Sequence, residues 1–140
     1  MSTETLAERL ARYQGPNESV PPPPMDARLS QHQDQPREVI ELARQRHRQA
    51  PQDARVTDWL AYLLYANRAY DEAIPLLQEL VRTAAATALQ HFHLANCYGA
   101  LGASERAVDH WEIAARLAPG SEIARKSVAR LRYLALQLAR

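Results

Sequence analysis

Apolar residues recur along most of this chain at intervals of three and four, the spacing that lines one face of an α-helix. The pattern starts with Leu6, Leu10 and Tyr13 (i, i+4, i+7), where Ser2 is the cap candidate and Gly15 and Pro16 end the segment. It resumes at Asp34. There Asp34 or Gln35 caps, Pro36 occupies the first turn, and Val39, Ile40, Leu42 and Ala43 form an apolar face. That helix should stop near Ala50 and Pro51, because proline disfavours helical geometry in the residue before it. Further helices are predicted over 56–67, 71–83, 88–101, 104–118 and from Ser121 to the C-terminus. No segment alternates with period two over a useful length, so the expected fold class is all-α.

Between the first helix and the rest lies NESVPPPPMD. Pro21 to Pro24 lock φ and remove four donors, which predicts a polyproline II strut, and the polar stretch DARLSQHQD after it has room for no more than a helical turn. Residues 1–34 therefore read as an N-terminal arm, with three Arg against five carboxylates, and residues 35–140 as a helical domain. The count of 9 Pro against 4 Gly is unusual for a helical chain, and the run in the arm accounts for much of it.

The helical part repeats itself. Ala54–Thr87 and Ala88–Ser121 align without a gap as two 34-residue units, placing Leu60 and Ala61 over Leu94 and Ala95, Ala73 over Ala107, and Leu77 over Trp111. The second unit continues with Tyr98, Gly102, Ala114 and Pro119, where the first has Leu64, Arg68, Leu80 and Ala85. In the absence of the turn glycine, Asn67 is the residue expected to take the left-handed conformation. One period upstream, Val39, Ala43 and Pro51 fall on the second helix of an earlier unit, whose first helix is replaced by the proline arm. In this arrangement of small, aromatic and closing residues the chain resembles the tetratricopeptide repeat family over residues 35–140.

The resemblance implies a short solenoid of helical hairpins with the last helix as its cap. Each pair is unable to bury its apolar face alone, so units stack. It also implies a concave groove lined by the first helix of each pair. The groove positions of the family hold Arg55, Asp58, Tyr62 and Tyr65 in the first unit, Leu89, Phe92, Asn96 and Gly99 in the second, and Lys126, Arg130 and Tyr133 in the capping helix. Helical spacing independently puts Asp58, Tyr62 and Tyr65 on one face, and likewise Lys126, Arg130 and Tyr133. Such a groove, aromatic at one end and basic at the other, suits a peptide or helix with apolar anchors and an acidic group. The Lys and Asn clamp with which some members hold chaperone C-termini is not reproduced, since Asp58 and Tyr62 stand in its place.

Charge and chemistry narrow the function further. The net charge of +1 offers no field for nucleic acid or an acidic membrane, and the basic stripe Arg37, Arg44, Arg46 and Arg48 has no interleaved aromatics. There is no transmembrane stretch, and MSTETLAERLARYQG is no secretory signal. With one cysteine, a reducing cytoplasmic setting is expected. His93 and Cys97 are spaced like metal ligands, yet Cys97 occupies a small buried repeat position, so no metal, cofactor or catalytic residue is expected. The expectation is a non-catalytic interaction module, an adaptor or chaperone-like assembly factor similar in size to type III secretion chaperones. The alternative is an accessory subunit anchored to a larger complex by Leu6, Leu10 and Tyr13. The last helix carries surplus apolar surface at Tyr133 and Leu136, which suggests a surface for a partner or for self-association.

Overall fold

The structure, a computed structural model, describes residues 3–13 and 37–139. The expected caps Ser2, Asp34 and Gln35, the polyproline strut and Pro36 lie outside them. The described residues form seven helices and no strand: α1 (Leu6–Ala11), α2 (Arg37–Gln49), α3 (Ala54–Ala66), α4 (Tyr70–Val81), α5 (Ala88–Ala100), α6 (Ser104–Leu117) and α7 (Glu122–Leu138). All-α is therefore the observed class. None of the described helices is long and apolar enough to cross a membrane.

Local chemistry explains where the helices begin. Thr5, rather than Ser2, caps α1: its hydroxyl accepts from Glu8 N at 3.1 Å, and the Glu8 carboxylate accepts from Thr5 N at 3.2 Å. Thr87 and Gln90 close the same box at α5, while Asp53 and Ser121 cap α3 and α7. Helices α4 and α6 have no side-chain cap; they follow tight turns instead. In each turn the N–H three residues past the helix end reaches back to a carbonyl five residues earlier: Ala69 to Leu64 at 2.8 Å, and Ala103 to Tyr98 at 2.9 Å.

These two turns are superimposable in sequence, 34 residues apart, and both need a left-handed residue. Gly102 supplies it in the second (φ 81°) and Arg68 in the first (φ 65°). Asn67 does not take that conformation: it keeps φ at −97°, and its side-chain amide donates to Leu63 O. Position within the turn outweighs Asn's tolerance of positive φ.

Each helix from α2 to α7 packs against the next, and α5 also touches α3 and α7. Short connections force antiparallel neighbours. Close approach rests on small residues: Ala61, Ala73, Ala95 and Ala107 have no exposed surface, and Leu77 and Trp111 fill the space beside them. Pro75 lies in the second turn of α4, so the carbonyl of exposed Asp71 forgoes its helical bond. On α7, Leu131 is fully buried, whereas Leu138 remains about half exposed. Helix α1 returns across the molecule to pack on α7.

A β-carbon on Gly102 would meet no atom within 4 Å, so the cost of adding one is purely conformational. Gly102→Ala should lower stability by about 1–2 kcal/mol, and Arg68→Gly should raise it by up to about 1 kcal/mol; urea unfolding of both variants measures the pair.

Candidate functional site

Helix α5 is enclosed on every side: all eight residues from His91 to Tyr98 are buried. Three of them are polar, so each needs a partner inside the protein. Asn96 finds two. Trp111 Nε1 on α6 donates to its Oδ1 at 2.8 Å, and its Nδ2 donates to the Tyr65 hydroxyl on α3 at 2.7 Å. The carboxamide thus ties three helices together at the centre of the core. Burial pushes the Tyr65 hydroxyl far above its ordinary pKa, against the opposing effect of the Asn96 bond. His93 stacks on the Tyr65 ring at 4.4 Å and lies 5.7 Å from Tyr62.

The residues assigned to the groove from sequence fall into three groups, with Gly99 among the exposed ones. Tyr65, Phe92 and Asn96 are buried and hold helices together, so they are not available to a partner as they stand. Arg55 and Asp58 are exposed, Asp58 accepting from Gln90 Nε2 at 3.2 Å. Tyr62, Leu89, Lys126, Arg130 and Tyr133 are half-buried. Lys126 pairs with Glu122 at 3.3 Å, and the Arg130 guanidinium sits 5.7 Å above the Phe92 ring. What the structure brings together is a row across α3, α5 and α7: Tyr62, His93, Phe92 and Arg130, each within about 6 Å of the next. Arg130 Nε and Ser127 Oγ, both buried, have no hydrogen-bond partner among the described residues.

The histidine pair was not legible beforehand. His91 on α5 and His110 on α6 meet Nδ1 to Nδ1 at 2.9 Å with their rings stacked, and Tyr98 covers His110 on its other side. Tyr98 in turn accepts from Gln78 on α4. Nineteen residues separate the histidines, and only the hairpin geometry of α5 and α6 brings them together. Burial, and for His91 also the neighbouring His110, holds both pKa values below the ordinary histidine range. Cys97, fully buried, has its thiol pushed up to about 12 by burial alone, which leaves it unreactive.

A second constellation surrounds Glu112 on α6. Arg9 donates to its carboxylate at 2.6 Å and pairs with Asp109 at 2.7 Å; the Tyr13 hydroxyl donates to the other Glu112 oxygen at 2.7 Å, and Arg12 stands 3.6 Å away. Burial raises the Glu112 pKa, but the hydrogen bonds from Arg9 and Tyr13 outweigh it and hold the carboxyl below its usual range. Leu10 is only 1% exposed, and Leu6 and Tyr13 are partly buried against the same hydrophobic core. The stripe Leu6, Leu10 and Tyr13 thus docks on this chain's own C-terminal helices.

Among the described residues no group of three or more His, Cys, Asp or Glu could hold a metal ion. No family model, curated protein or solved structure matches the chain.

Asn96→Leu strands the Trp111 N–H and the Tyr65 hydroxyl, each buried, and should cost about 2–4 kcal/mol in urea unfolding, more than Tyr65→Phe. The histidines set a pH dependence. Their folded pKa values lie below the unfolded value of about 6.5, so the unfolded chain binds protons first and stability falls as pH drops through that value. Glu112, depressed, loses its contribution only below about pH 4. Unfolding midpoints should therefore decline from about pH 7.5 to about pH 5.5, and His91→Gln with His110→Gln should flatten the slope.

Proposed function

We propose that this chain is a non-catalytic protein-interaction module of the tetratricopeptide-repeat type, an adaptor or assembly factor, stacked as a short solenoid from α2 to α7. Half-buried Tyr62 and Arg130, which flank the buried rings of His93 and Phe92 across α3, α5 and α7, carry this reading. They lie on the helices that line the groove in such repeats, and the half-buried Leu89, Lys126 and Tyr133 belong to the same three helices. The partner is a segment with apolar anchors for Tyr62 and Tyr133 and an acidic group for Lys126 and Arg130. An incoming carboxylate would pair with the half-buried guanidinium of Arg130, and a charge-assisted bond of that kind contributes about 1.5–3 kcal/mol. The cytoplasm is the setting we assign, and the buried, unreactive thiol of Cys97 is compatible with it. An accessory subunit held by its arm has less support, because the apolar residues of α1 are already packed within the chain.

Selection of peptides from a random display library tests the reading. Binders should share an acidic residue beside apolar anchors. Arg130→Ala should weaken them roughly tenfold or more, and Tyr62→Ala should weaken them as well, whereas Arg44→Ala on α2 should have no effect. Binders indifferent to both groove substitutions would remove the basis of the proposal.

A further inference from the structure

The docking of α1 has a property that the groove reading does not use. Helix α1 leads, through residues 14–36, into α2 at one end of the stack, yet it packs on α7 and pairs with α6 at the other. Its contacts are self-contained. Leu10 fills an apolar socket, Arg9 and Tyr13 occupy both oxygens of Glu112, and Asp109 takes the second contact of Arg9. None of these requires that α1 and the socket belong to the same molecule. The 23 residues 14–36 span at most roughly 80 Å when extended, enough to reach a neighbouring molecule as well as the same one.

We propose that the socket on α6 and α7 is a docking site for α1 of a second copy of this chain. Two molecules then pair reciprocally, each inserting Leu10 beside the other's Glu112. Every contact is conserved in the exchange, and the two equivalent sockets close under twofold symmetry with none left open. The competitor is each chain's own α1, present at an effective concentration on the order of millimolar. Exchange in the unaltered protein therefore grows where copies are held close together, and the pairing of Arg9 with Glu112 and Asp109 selects this helix rather than an arbitrary apolar one. This surface lies apart from the groove, so the two readings stand or fall separately.

A charge swap separates self-docking from exchange. Arg9→Glu in one chain and Glu112→Lys in another each disable docking within their own molecule, and also between identical copies. Mixed together, each supplies what the other lacks. By sedimentation velocity each variant alone should run as a monomer and the equimolar mixture at twice that mass. The double variant Arg9→Glu with Glu112→Lys should return to a monomer, and Leu10→Asp in both chains should abolish the mixed dimer. If helix content shows that the Glu112→Lys chain is misfolded, Glu112→Gln with Asp109→Asn is the gentler donor, and its mixture with the Arg9→Glu chain should still dimerise. A mixture of folded variants that stays monomeric overturns the proposal, as does a mixed dimer unaffected by Leu10→Asp.

Discussion

A helix enclosed on all sides has no solvent face toward which its polar side chains can turn. Helix α5 is in that position, and most of the specific interactions in the molecule follow from it. His91, His93 and Asn96 are buried along one helix, and their partners come from the two helices on either side: His110 and Trp111 from α6, and Tyr65 from α3. Apolar packing alone would allow α3, α5 and α6 to slide by a turn. The carboxamide of Asn96 allows much less, because a displaced Trp111 or Tyr65 would lose a bond that buried groups cannot replace with water. The alanines set how closely the helices approach, and Asn96 sets the register at which they do so.

The same logic in milder form governs the outer end of the stack. Glu112 is a mostly shielded carboxylate, and α1 brings it two donors together with the charge of Arg12. A terminal helix ordinarily leaves one face to water. Here the first helix of the chain covers part of the last, so the acidic cluster and the apolar socket are satisfied together.

Much of the helical framework was legible because it is periodic. Small residues recurring every 34 positions (Ala61 with Ala95, Ala73 with Ala107) are buried, and from α2 onward the described helix limits agree to within two residues, whereas α1 begins behind Thr5, three residues after the expected Ser2 cap. The repeat register even held the answer at the first turn: Arg68 aligns with Gly102 and takes its conformation, although residue preference favoured Asn67. What helical spacing could not supply was separation between helices. It placed Tyr62 and Tyr65 on one face, but whether that face is open depends on how near α5 lies, and Tyr65 is covered while Tyr62 is not. The His91 pairing and the docking of α1 depend on helices meeting across the sequence, and no local pattern encodes them. The apolar stripe on α1 was visible; the surface that receives it is assembled about a hundred residues later.

That distance sets an order of events. A ribosome releases Leu10 long before it releases Glu112, so the first helix to be made is among the last to find its place. Closing a loop of this size costs more entropy than any hairpin in the chain, and the contact gains nothing until α6 and α7 are themselves folded. Throughout synthesis the amino-terminal segment therefore carries an unsatisfied leucine and a pair of arginines. On a crowded polysome the nearest completed socket belongs to a sister molecule.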